Sequence, residues 1–364
     1  MQIVGQAVPK RLVNEALDNR FILRAGKGLV LSATDFNVYV DFALQEGAAT
    51  IEHPGELLLP LDKVVQLLRE GRDDRIRIEE IAENRCRLMF TDGYFDLPTA
   101  DPAAFPSRPV VKTKAIGAAR VETFVEGLDR GKVARAAEEG RYLFDHILLE
   151  LEGDGFTVVT TDGRRMAAYA GALQKPLAGK ERVLLAPAAL SQARKLCERS
   201  TGLVRISCDH AKVEFETDRG TVIATVRDDA AFPDFRPHLD GRPRSRRAAV
   251  SRGLLLSATR RIALLTTEHL RAVEFRLHPG ELILACRSGI TGEGELRVPI
   301  EYEGAAEEVF FDPTYVAEGL AAMGAETIEI RFENAEEGAI FHDGEAFRYL
   351  VMPILIDARE STPS

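Results

Sequence analysis

Two aspartates occupy the turns best suited to chemistry. Asp162 lies in Thr161-Asp162-Gly163-Arg164-Arg165-Met166, and Asp234 in Phe232-Pro233-Asp234-Phe235. Two carboxylates at one site would hold a divalent cation and support phosphodiester hydrolysis. Asp-Gly turns are explained as hairpin turns without a ligand. The seven histidines are scattered, with no His-x-His or His-Glu-x-x-His spacing, and no P-loop type glycine-rich phosphate loop occurs. Cys86, Cys197, Cys208 and Cys286 form no Cys-x-x-Cys pair. Cys86, Cys208 and Cys286 fall in strand-like runs as small buried side chains, the use expected in a reducing cytoplasm. These residues form no recognisable catalytic motif, and no cofactor or metal is expected. A metal-dependent phosphodiesterase is the alternative from another class.

The chain has 364 residues, 45% hydrophobic and 29% charged, with a net charge of −10. That is the composition of a soluble globular protein of one to three domains. No apolar run reaches the roughly 18 residues of a membrane span. Met1-Gln2-Ile3-Val4-Gly5 shows no apolar stretch with basic flanks, so no signal peptide is expected. The negative balance argues against wrapping nucleic acid over the whole surface but permits a local basic face. The strongest basic run is the linker Gly241–Arg247.

The elements that position the aspartate turns occur three times. Leu59-Pro60, Ala186-Pro187 and Asp312-Pro313 each open a helix-length segment, 127 and 126 residues apart. Ala104-Phe105-Pro106 and Ala231-Phe232-Pro233 close two units, again 127 apart, and Val351-Met352-Pro353 closes the third. Solenoid modules repeat every 20–50 residues or so, so this period is domain-sized. The expected domains are 1–116, 117–240 and 241–364. Apolar stripes predict helices over Pro60–Glu70, Val121–Ala136, Ala188–Glu198, Arg252–Ile262 and Pro313–Met323, and a short one over Pro9–Asn19. Alternation predicts strands that include Gly28–Asp35, Asn37–Phe42, Arg85–Phe90, His146–Leu151, Gly155–Thr161 and Lys212–Glu216, with Asp92-Gly93 as a hairpin turn. The fold class is α+β: three tandem copies of one domain with mostly antiparallel sheets. Such copies can join edge to edge, and two chains could close a ring head to tail.

In these residues the chain resembles the bacterial DNA polymerase sliding clamp family, the beta subunit of the replicative polymerase. The likeness rests on Thr161–Ala167, on Phe232-Pro233-Asp234-Phe235 and on Tyr349-Leu350-Val351-Met352-Pro353-Ile354, supported by Arg141-Tyr142 and Phe105-Pro106. It covers nearly the whole chain, and the order of the motifs within the threefold repeat makes it specific. The resemblance implies a homodimeric ring of six similar domains around duplex DNA, with sheets outside and helices lining the hole. It implies a non-catalytic, cytoplasmic processivity factor. Its partners would be the replicative polymerase, the clamp loader and other clamp-binding-motif proteins, with no membrane involved.

Carried over residue by residue, the resemblance implies a partner-peptide pocket between the second and third domains. Its residues would be Phe144, Thr161, Gly163, Arg164, Arg165, Met166, Pro233, His238, Leu270, Asp312, Tyr315, Val351, Met352, Pro353 and Ile354. Methionines suit a surface that adapts to several partners. Phe95 and the pair Leu264-Leu265 match the family's dimer contact between the first and third domains. The DNA-facing candidates are Lys63, Arg69, Arg130, Lys132, Arg135, Tyr142, Arg194, Lys195, Arg199, Arg252 and Arg260. Loose phosphate contacts suffice where topology does the holding. The chain departs from the family in a shortened loop before Phe21, in Leu143 where a second tyrosine can follow Tyr142, and in Pro237 and His238 at the pocket rim. A clamp-fold adaptor that does not encircle DNA is the remaining alternative.

Overall fold

The computed structural model describes residues 3–8, 18–112, 117–137, 144–227, 232–241, 244–267 and 271–355. Tyr142, Leu270 and most of the expected helix Pro9–Asn19 lie outside these residues. Among those described, the α-helices are α1 (Leu61–Glu70), α2 (Val121–Gly131), α3 (Pro187–Glu198), α4 (Arg236–Leu239), α5 (Arg252–Ile262) and α6 (Pro313–Ala322). The chain divides into two compact units. One is Met1–Val125 with Leu173–Leu177 and Leu185–Arg227; the other is Glu126–Ala172 with Ala178–Leu184 and Asp228–Ser364.

The first unit holds an eight-stranded sheet. Its order is Gly55–Pro60, Arg20–Ala25, Leu29–Thr34, Val38–Ala43, Gly220–Thr225, Lys212–Thr217, Leu203–Cys208 and Gly117–Arg120. These strands pair antiparallel. Lys212–Thr217 buries every second residue, as a sheet with one dry face requires. Ile22, Tyr39, Leu58, Phe105 and Ile223 form a core cluster. A separate three-stranded sheet comprises Arg77–Ala82, Arg85–Phe90 and Gly93–Pro98.

The second unit holds a ten-stranded sheet. Its order is Glu307–Phe311, Val273–His278, Glu281–Ser288, Gly292–Glu301, Arg246–Ser251, Thr327–Phe332, Ala339–Asp343, Phe347–Val351, Arg165–Leu185 and Ile147–Thr161. Helices α5 and α6 pack against each other.

The repeat is visible in strand register. Val38 pairs with Ala224 and Val40 with Val222 in the first sheet. Arg165 with Val351 and Ala167 with Tyr349 reproduce that register 127 residues later on both strands. The bond from Thr225 N–H to the Asn37 carbonyl, 2.9 Å, recurs from Met352 N–H to the Arg164 carbonyl, 2.8 Å. The hairpin tips match as well. Asp35 Oδ1 accepts from the N–H groups of Asn37 and Val38, and Asp162 Oδ1 from those of Arg164 and Arg165. Residue 36 and residue 163 both adopt positive φ, +70° for Phe36 and +88° for Gly163.

Several expectations are corrected. The turn of the Arg85–Pro98 hairpin is Thr91-Asp92, because Phe90 pairs with Gly93, which already belongs to the strand. Asp73 Oδ1 holds this turn by accepting from Thr91 N–H at 2.9 Å. The helix expected over Val121–Ala136 ends at Gly131 and continues as a 3-10 turn, Lys132–Ala134. A Cβ at Gly131 would lie 2.5 Å from Val158 Cγ1, so the helix end is pressed onto the sheet. The strands expected over His146–Leu151 and Gly155–Thr161 are one, Ile147–Thr161, and the 21-residue strand Arg165–Leu185 was not anticipated. Pro60 ends a strand and stands at the N-cap of α1, whereas Pro187 and Pro313 are first residues of their helices.

Candidate functional site

The described members of the candidate pocket all lie in the second unit. The tip Thr161–Arg165 is built by side chains returning to their own backbone. Thr161 Oγ1 donates to the Arg165 carbonyl at 2.7 Å and accepts from Gly163 N–H at 3.0 Å. Asp162 accepts two backbone N–H groups and pairs with Arg165 Nε at 2.8 Å. A Cβ at Gly163 would lie 3.3 Å from the Phe144 ring, so Phe144 flanks the tip.

Arg165 joins the tip to α6 and the last strand. Its guanidinium lies 4.3 Å from the centre of the Tyr315 ring, bonds the Tyr349 hydroxyl at 3.3 Å and pairs with Glu318. The Tyr349 hydroxyl donates in turn to the Tyr315 carbonyl at 2.9 Å. Burial holds the Tyr349 phenol well above the ordinary tyrosine pKa, so it stays a donor. Burial also raises Tyr315, helped by the carboxylates of Asp162 and Asp312. Asp312 caps α6 by accepting from Thr314 N–H at 2.8 Å, which sets the turn carrying Tyr315.

Beyond Val351 the chain is held by two backbone hydrogen bonds. Met352 N–H bonds Arg164, and Ile354 N–H bonds the Phe310 carbonyl at 2.8 Å. Met352 is 37% exposed, while Met166 is buried with Leu148, Leu184, Phe232, Phe235, Leu239 and Leu350. Phe232, Phe235 and Leu239 anchor the segment that carries half-buried Pro233 and exposed His238. Gly338 lies against this surface: a Cβ there would sit 2.9 Å from Met352 Sδ and 2.6 Å from Leu350 Cδ1. Met352, Arg164 and His238 are exposed, and Pro353, Ile354, Tyr315 and Pro233 are half-buried. A separate apolar cavity, lined by residues including Phe275, Leu282, Phe311, Phe332 and Phe341, contains none of the candidate residues.

Sequence reasoning did not name Asp162, Glu318, Tyr349 or Gly338 in this surface. Asp162 Oδ1 is taken up by the turn and Oδ2 by Arg165, which accords with the turn reading of this aspartate. Asp234 Oδ1 likewise accepts from Arg236 N–H at 3.2 Å.

The DNA-facing candidates differ in environment. Lys63, Arg69, Lys132, Arg199 and Arg260 are exposed, Lys132 beside Asp129 at 2.7 Å. Lys195 is half-buried, and burial lowers its pKa. Arg194 pairs with Glu198 at 3.0 Å, Arg252 Nε bonds the Ala325 carbonyl at 2.9 Å, and Arg135 bonds the Ala136 carbonyl at 3.1 Å. Arg130 lies between Glu126 at 3.0 Å and buried Asp343 at 2.8 Å, so its charge is already matched within the protein. Phe95 and Leu264 are exposed, 47% and 79%; Leu265 is half-buried.

The fold is the α+β sliding-clamp class, with antiparallel sheets and several helices. A family model described as the DNA polymerase III beta subunit, central domain, matches residues 119–234, and one for the C-terminal domain of the same subunit matches 243–355. The beta sliding clamp of Pseudomonas aeruginosa is 25% identical over 360 residues, covering 97% of this chain and 96% of the relative. That of Chlamydia pneumoniae is 24% identical over 353 residues, covering 96% and 94%. A crystal structure of the Pseudomonas aeruginosa clamp superposes with a TM-score of 0.87 at 24% identity, covering 98% of this chain and 96% of that one. The Bacillus subtilis clamp gives 0.89 at 18% identity with the same coverage. This chain belongs to the DNA polymerase III beta subunit family, the sliding clamps. Its class is that of a non-catalytic accessory subunit in DNA replication.

Proposed function

We propose that this protein is a processivity factor that forms a homodimeric ring around duplex DNA and tethers the replicative polymerase. Three clamp domains, 1–116, 117–240 and 241–364, would make each half of the ring. The two matched family spans fall inside the second and third of these and support the division. The observation that carries the reading is the strand register repeated 127 residues apart, by which one copy's sheet continues into the next. Continuation by the same rule into a second chain closes a ring.

The dimer contact would join Phe95, on the strand Gly93–Pro98, to Leu264 and Leu265 of a second copy. Both sides offer exposed apolar side chains, which two copies would cover. Non-specific phosphate contacts would come mainly from the exposed Lys63, Arg69, Lys132, Arg199 and Arg260. The polymerase, the clamp loader and other partners would insert apolar side chains of a short peptide between Met352, Tyr315 and Pro233, in the cytoplasm.

The pocket is tested with a labelled peptide carrying leucine and phenylalanine anchors. Replacing both methionines, Met166→Ala with Met352→Ala, is expected to weaken its binding while the dimer persists. Unchanged affinity would remove the pocket assignment. Peptide binding without retention on closed circular DNA would instead identify an adaptor.

A further inference from the structure

The pocket wall Phe232–Gly241 contains a helix of only four residues, α4, too short to hold its own orientation. Its buried side chains Phe232, Phe235 and Leu239 fix its base. Its outer edge is held by ion pairs instead. Arg236, at the start of α4, reaches Glu150 on the neighbouring strand Ile147–Thr161, with Nη1 at 3.1 Å and a second contact from Nη2. Its guanidinium lies 4.8 Å from the Phe235 ring centre, and Nη2 also bonds Glu152 at 2.8 Å. At the other end, Arg244 donates to the His238 carbonyl at 2.9 Å and to the Gly338 carbonyl at 3.0 Å, and Asp240 pairs with Arg348.

Glu150 is the unusual member. It is 2% exposed, yet it faces Lys180 Nζ at 3.0 Å and Arg182 Nε at 3.7 Å as well as Arg236. One buried carboxylate therefore sits among three cations. Its removal would leave those cations facing one another, with Glu152, itself half exposed, as the carboxylate left beside Arg236 and Lys180. We infer that Glu150 is a positioning residue for the partner-peptide site: acting through Arg236, it fixes the wall that presents Pro233 and His238, without itself meeting the peptide. The inference rests on the pocket reading above.

The test uses the full chain and the leucine–phenylalanine peptide. Glu150→Gln keeps the shape and removes the charge. It is expected to raise the peptide Kd on the order of tenfold, as loss of a supporting contact does at a pre-organised site. The dimer mass should not change. In a His238→Ala background the effect of Glu150→Gln should shrink, because the edge it orients is gone; in a Tyr315→Ala background, on α6, it should persist in full. Arg236→Gln, which cuts the same strap from the wall side, should reproduce the loss and serves if Glu150→Gln does not fold. An unchanged Kd in Glu150→Gln or Arg236→Gln, with Met352→Ala still weakening binding, overturns the role of Glu150. So does an equal effect in both backgrounds, which would mark a general loss of stability. If Met352→Ala itself leaves binding unchanged, the pocket reading fails and this role falls with it.

Discussion

Glu150 also makes stability depend on pH. Burial alone would raise its pKa, but the hydrogen bonds from Arg236 and Lys180 outweigh burial and hold it below the ordinary 4.5. A carboxyl with a lowered folded pKa contributes stability that is complete above the unfolded value and lost as pH falls through the folded one. Denaturant midpoints taken from about pH 6 down to about pH 3 should therefore fall more steeply for the parent than for Glu150→Gln. Parallel curves would mean that Glu150 gains nothing from its cations. A Cβ at Gly319 would lie 2.2 Å from Tyr349 Cε1, in the ring that Arg165 and Tyr315 hold. Gly319→Ala should cost about 1–3 kcal/mol by overpacking, measured by urea unfolding. A neutral result would show that α6 can shift away from Tyr349.

At the scale of elements, α6 is expected to join stability to binding. Asp312→Ala removes its cap and should cost about 1 kcal/mol. Because the cap also sets the turn of Tyr315, peptide affinity should fall with the thermal midpoint; a fall in stability alone would separate the two. The helices α3 and α6 are legible in the sequence because a proline opening and an apolar stripe mark them locally, and α5 because of its apolar stripe alone. The Asp162 tip was legible as a turn for the same reason. What was not legible depends on distance along the chain. Arg130 reads as a basic helix residue until its partner Asp343, 213 positions away, is seen beside it. Lys180, Arg182 and Arg236 have no spacing that announces a shared carboxylate at Glu150. Ile147–Thr161 is a single strand that passes through Gly153, at φ +58°, which alternation alone does not reveal.

At the scale of the molecule, the repeat was the most legible feature, since Pro60, Pro187 and Pro313 and the Phe-Pro pairs Phe105-Pro106 and Phe232-Pro233 punctuate the chain at nearly constant intervals. The pairing register carries that repeat into the sheets. Leu264, 79% exposed, should be covered on dimerisation. Leu264→Lys would place a charge there at a cost of several kcal/mol and should shift the solution mass toward the single chain. A mass unaffected by this substitution would refute the interface. The ring itself is tested most directly on DNA. After loading onto a nicked circular duplex, the protein should stay bound through a high-salt wash and be released when the circle is cut once. Equal loss from circles and linear DNA, or equal retention on both, would contradict a ring held by topology.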